Sequence, residues 1–75
     1  MNERIISYSE AIEIVDQELK KKKSIRIFCE QNDLKYDTVM RIRSGKKEYP
    51  IIVQSLLKSI GYKVEIKKMV QFKIS

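Results

Sequence analysis

The chain has 75 residues, 43% apolar and 35% charged, with 16 Lys and Arg against 10 Asp and Glu and a formal net charge of +6. That length allows one domain (1–75) that buries only about 60% of its unfolded surface, and the basic excess points to an anionic partner, nucleic acid being the usual one. A single cysteine and no histidine exclude an internal disulfide, a Cys/His zinc site within one chain, and Cys–His or Ser–His–Asp catalysis.

Residues 2–7 are too short for a helix, and Ile5 and Ile6 favour a strand. Ser7 and Glu10 have capping-box spacing, and Tyr8, Ala11, Ile12, Val15 and Leu19 then recur at three and four, predicting an amphipathic helix from about Tyr8 to Lys21. Ile14 marks the edge of its stripe. The helix ends in Lys20–Lys23, which either complements the macrodipole or faces phosphates, and the same residues can do both. Ser24 caps a second, two-turn helix with Ile25, Phe28 and Cys29 on one side and Ile27 at the flank. Gln31-Asn32-Asp33 stops it, and Leu34 stands alone in a polar turn.

Asp37 is placed to cap a third helix, in which Val39 and Ile42 face inward while Met40, Arg41 and Arg43 lie toward the other side. Gly45 supplies a left-handed stop. Pro50 suits the first turn of a fourth helix, which buries Val53, Leu56, Leu57 and Ile60 with Ile51 or Ile52 and runs to about Ser59; Gly61 ends it. From Tyr62 the period falls to two: Tyr62, Val64, Ile66, Val70, Phe72 and Ile74 share one parity, a strand pattern. The tail is either one long strand bent near Lys68 or two short ones. A two-residue hairpin at Lys67-Lys68 is disfavoured because Gly, Asn and Asp are missing there.

Two short helices joined by a tight turn, the second presenting long polar side chains, suit the DNA major groove, which is about 12 Å wide and admits one helix. Residues Ile25 to Ser44 resemble the helix-turn-helix of the Cro and phage-repressor (Xre-like) class. Cys29 falls where that family has a small residue at the helix crossing. Leu34 takes its apolar turn position, Val39 and Ile42 its two buried recognition-helix positions. The ending Arg41-Ile42-Arg43-Ser44-Gly45-Lys46 is similar to the family's R-I-x-x-G-K/R. Two residues depart from the pattern: Asp33 stands where the family often has Gly, and Asn32 where it commonly has an apolar residue. Aspartate tolerates the left-handed conformation better than most residues. The resemblance implies a mainly α fold with short β, a lambda-repressor-like core of four helices plus N-terminal and C-terminal strands, the strand tail (62–75) serving dimerisation.

On this reading Arg41 is the leading base reader, because a guanidinium can bond both guanine O6 and N7. Lys35, Tyr36, Asp37, Met40 and Ser44 are the other candidate base contacts, Asp37 being the better cap and Met40 limited to apolar contact. Lys23, Ser24, Arg26, Arg43, Lys46 and Lys47 are candidate phosphate contacts, which position without reading sequence. Tyr62, Val64, Ile66, Val70, Phe72 and Ile74 are the candidate dimer interface. Cys29 reads as a small buried residue rather than a redox sensor.

The leading expectation is a sequence-specific double-stranded DNA-binding regulator, a repressor, that reads an inverted repeat as a homodimer. The alternative is an antitoxin or phage-encoded interaction module whose C-terminal strand augments the sheet of a protein partner. An enzyme is not expected without histidine, a glycine-rich phosphate loop or paired carboxylates on one face; neither is a cofactor or a metal. No apolar run approaches the ~18–20 residues that span a bilayer, and the amino-terminal residues do not read as a signal peptide, so a reducing cytoplasm is the expected setting.

Overall fold

A computed structural model describes residues 3–45, 47–67 and 71–75. Strand β1 (Arg4–Ser7) leads directly into helix α1 (Tyr8–Lys20), followed by α2 (Ile25–Gln31), α3 (Tyr36–Ser44), α4 (Pro50–Ser59) and strands β2 (Val64–Lys67) and β3 (Gln71–Ile74). The strands form an antiparallel sheet in the order β1-β3-β2, with Ile6 opposite Phe72 and Ile66 opposite Phe72 on its other side. The chain is thus mostly helical, four helices with a small sheet from its two ends, and its tail is two strands rather than one.

Local chemistry accounts for most element boundaries. Ser7 Oγ accepts from the Glu10 backbone N–H at 3.1 Å while Glu10 Oε1 accepts from the Ser7 N–H at 3.2 Å, a complete capping box. Ser24 Oγ accepts from the Ile27 N–H at 3.2 Å and starts α2. Pro50 occupies the first turn of α4. Gly45, with φ +75°, ends α3 in the left-handed conformation, where a side chain would be strained.

The α2–α3 turn holds both residues that depart from the helix-turn-helix pattern. Asp33 has φ +56°, the region that aspartate enters more readily than most residues. Asn32 uses its side chain: Nδ2 donates to the Phe28 carbonyl at 2.9 Å, an oxygen that also accepts the Asn32 backbone N–H at 3.2 Å, so the end of α2 is held by two donors from one residue. Leu34 then folds inward against the core, its N–H donating to the Cys29 carbonyl at 2.8 Å.

One expectation is corrected here. Asp37 does not cap α3: the extended backbone of Lys35 does, its carbonyl accepting from the Val39 N–H at 3.1 Å, and no side chain caps the helix. The helix therefore starts two residues earlier than the Asp37 reading had it. Asp37 lies in the first turn, exposed, where a carboxylate still favours the positive end of the macrodipole.

The core takes residues from every element but β2: Ile6 from β1, Ala11, Val15 and Leu19 from α1, Phe28 and Cys29 from α2, Val39 and Ile42 from α3, Val53, Leu56 and Leu57 from α4, Phe72 and Ile74 from β3. Helix α1 is the common neighbour, packing on α3, α4, β1 and β3. Tyr8, at its start, sets its ring centroid 6.3 Å from that of Phe72, the rings tilted by 33°, and accepts at its hydroxyl from the Tyr49 N–H at 3.0 Å, tying α1, β3 and the entry to α4 together. The apolar stripes overreach at three places: Ile5, Ile27 and Ile51 are exposed.

Phe72→Ala should cost about 3–5 kcal/mol, a large share of what a domain of this size has, and Ile5→Ala should lie within about 0.5 kcal/mol of wild type. Urea denaturation of both variants checks the contrast.

Candidate nucleic-acid interface

Helix α3 divides cleanly. Val39 and Ile42 are fully buried, which fixes the rotation of the helix. Lys35, Asp37, Arg41 and Ser44 are exposed, Tyr36 and Met40 half-buried and packed against the core edge. Arg41, nominated as base reader, therefore has its guanidinium at the surface. Ser44 Oγ donates to the Arg41 carbonyl at 2.7 Å, so its proton is committed to its own helix and only acceptor capacity remains for a partner.

Beside α3, the end of α1 and the beginning of α2 enclose a concavity of about 400 Å³ whose lining includes Lys20, Lys22, Lys23, Arg26, Tyr36 and Arg43. It gathers three of the nominated phosphate-contacting cations, Lys23, Arg26 and Arg43, with Ser24, and adds two lysines of the α1 tail. Lys47 lies elsewhere, its Nζ 5.7 Å from the centre of the Tyr49 ring. Lys46 lies outside the described residues.

Several of these cations are held by neighbours. The Arg26 guanidinium sits 4.2 Å from the centroid of the Tyr36 ring, and Lys22 Nζ 5.1 Å from that of Phe28, distances at which the ring quadrupole attracts a cation. Arg43 Nε donates to Asp16 Oδ1 at 2.7 Å, and Arg43 Nη2 lies 2.7 Å from the same oxygen as an ion pair. Asp16 Oδ2 meets Lys20 Nζ at 3.2 Å. One carboxylate thus joins a cation of α3 to a cation of α1. The hydrogen bond from Arg43, then that from Lys20, holds the Asp16 carboxyl below its ordinary pKa of 3.8.

Asp16 was not among the residues nominated from the sequence. Its spacing to Lys20 is legible on a helix; its pairing with Arg43, 27 positions away, depends on how α1 and α3 pack. Cys29 is buried, and burial raises its thiol pKa while nearby Arg26 opposes the rise, as suits an unreactive packing residue.

The nominated dimer residues separate. Phe72 and Ile74 belong to the chain's own core, and β3 has a strand on each side, so neither their side chains nor that strand's edges are open to a second copy. The alternation in the sequence identified their shared face but not what covers it. Tyr62, Val64 and Ile66 are half-buried along β2 and its approach. Val70 lies outside the described residues.

Among the described residues, no three His, Cys, Asp or Glu side chains come together as a potential metal site, and no helix is long and apolar enough to cross a membrane. No family model matches this chain, and neither the curated proteins nor the solved structures include a match to it.

The lowered pKa of Asp16 fixes a sign. Its contribution to stability is fully present above the ordinary carboxylate value and is lost as pH falls through the depressed one. Asp16→Asn should therefore destabilise by about 0.5–1 kcal/mol at neutral pH. In urea melts the difference from wild type should stay level above about pH 5 and shrink toward zero in stronger acid.

Proposed function

We propose that this chain is a double-stranded DNA-binding regulator of the helix-turn-helix kind, in which α3 enters the major groove and Arg41 reads a base. The observation that carries this reading is the two-sidedness of α3. Val39 and Ile42 are buried, Lys35, Arg41 and Ser44 stand exposed, and the cation-lined concavity opens next to the helix. A groove-reading helix needs that combination: an apolar side to dock on its own protein, a polar side to reach base edges, and adjacent cations to hold the sugar–phosphate backbone.

A homodimer on an inverted repeat follows from the same reading, since two linked heads multiply affinity through effective concentration. The sheet supports an edge-to-edge contact, through β2 rather than β3. Lys63 and Ser75 exchange both backbone hydrogen bonds, at 3.1 and 3.0 Å. By antiparallel alternation Glu65 and Lys67 then bond to β3, while Val64 and Ile66 turn their N–H and C=O outward. Gln54 Nε2 donates to the Val64 carbonyl at 3.3 Å, which leaves the Ile66 end of the edge as the place for another strand. The same edge favours the second reading, an antitoxin or phage-encoded interaction module that adds its strand to a protein partner's sheet.

Selection of bound sequences from random duplex DNA should enrich an inverted repeat, and Arg41→Ala should lose about 1–3 kcal/mol of discrimination at one position in each half-site. Enrichment of nothing, in either protein, would remove the sequence-reading role and leave the partner-binding one. In equilibrium sedimentation at tens of micromolar the chain should run as a dimer, and Ile66→Pro, which deletes an outward N–H, should shift it to monomer.

A further inference from the structure

We propose that the concavity between α1, α2 and α3 is a preorganised seat for one phosphodiester of the DNA backbone, and that Asp16 is a positioning residue that holds Arg43 and Lys20 on its wall. The inference rests on the DNA-binding reading above and adds to it a specific place and an acidic residue.

Five cations line the concavity: Lys20, Lys22, Lys23, Arg26 and Arg43. Long cationic side chains normally lose rotamer entropy when a phosphate immobilises them. Here most of that ordering is already done. Lys22 lies over Phe28, Arg26 over Tyr36, and Lys20 and Arg43 are both bonded to Asp16. Tyr36 and Arg43 come from α3 itself, so a phosphate bound here fixes the register of α3 along the groove.

Asp16 is an unexpected neighbour for a phosphate, because its charge repels one. The geometry assigns it a net favourable role. Arg43 has five N–H donors in a rigid fork, and one oxygen of Asp16 accepts from Nε and sits 2.7 Å from Nη2. The donors on the far edge remain for the wall of the concavity that Arg43 lines. One carboxylate orients two cations, so the group it forms with Arg43 and Lys20 is still positive.

These two effects of Asp16 have opposite signs, which makes the proposal testable. Removing the carboxylate raises the net charge by one. If Asp16 only repelled phosphate, Asp16→Ala would bind duplex DNA more tightly and with a steeper salt dependence. If it positions Arg43, the variant binds about three- to tenfold more weakly and its salt slope falls by about 0.9, one phosphate contact. The measurement is fluorescence anisotropy of a random-sequence 20-base-pair duplex over a range of salt, with thermal melts showing that each variant is folded at the assay temperature. Arg43→Gln should show the same loss, and adding Asp16→Ala to it should weaken binding little further. Should Asp16→Ala not fold, Asp16→Asn takes its place, keeping an acceptor for Arg43 with a smaller expected loss.

Wild-type binding with equal or tighter binding by the Asp16 variant overturns the proposal, as does additivity of the two substitutions. If wild type binds no duplex at all, the DNA-binding reading fails instead. Inorganic phosphate is then titrated at low salt against the Arg43 Nε–H resonance. A shift that disappears in Asp16→Ala upholds the seat for free phosphate, and no shift overturns it.

Discussion

The buried stripe of α1 is the constraint on which the other elements depend. Ala11, Val15 and Leu19 recur every fourth residue and are all almost wholly covered, and the same helix meets two strands and two helices. In a chain this small there is no second layer to absorb an error. Once that stripe is buried, α3 can dock only with Val39 and Ile42 against the core, and the direction of Arg41 follows from helical geometry rather than from any contact of its own. The sheet closes the other side of the same core through Ile6, Phe72 and Ile74.

The polar side of α1 has a different task. Asp16, one residue past the buried Val15, reaches Lys20 on its own helix and Arg43 on α3. The helix that organises the apolar interior thereby also organises the charged surface. A basic domain must bring like charges close together, and the fold does so with two aromatic rings and a carboxylate placed between or beneath the cations. That arrangement gives the charge a shape, which net composition alone does not.

What could be read in the sequence was governed by neighbours in the chain. The capping box at Ser7, the glycine stop at Gly45, the left-handed tolerance of Asp33 and the inward pair Val39 and Ile42 each depend on fewer than five consecutive residues, and the structure has them all. The start of α3 is ambiguous in the sequence, because Asp37 can cap it through its side chain and Lys35 through its backbone, and in the fold it is Lys35 that does so. For the tail, alternation gave the right face for Phe72 and Ile74 but could not say whether β1 or a second molecule would lie beside them. The Asp16–Arg43 pair and the exposure of Ile27 and Ile51 likewise depend on tertiary arrangement.

The central place of β3 bears on the order of folding. Its pairing with β1 joins Ser7 to Gln71 and Arg4 to Ile74, so the sheet closes a loop that spans almost the whole molecule, whereas the contacts between α2 and α3 are local. Loop closure must be met before such distant pairing is rewarded. The β2–β3 pairing, by contrast, joins segments only a few residues apart, and α4 packs on β2, so of the three strands it is β1 whose place in the sheet carries the entropy of closing that long loop.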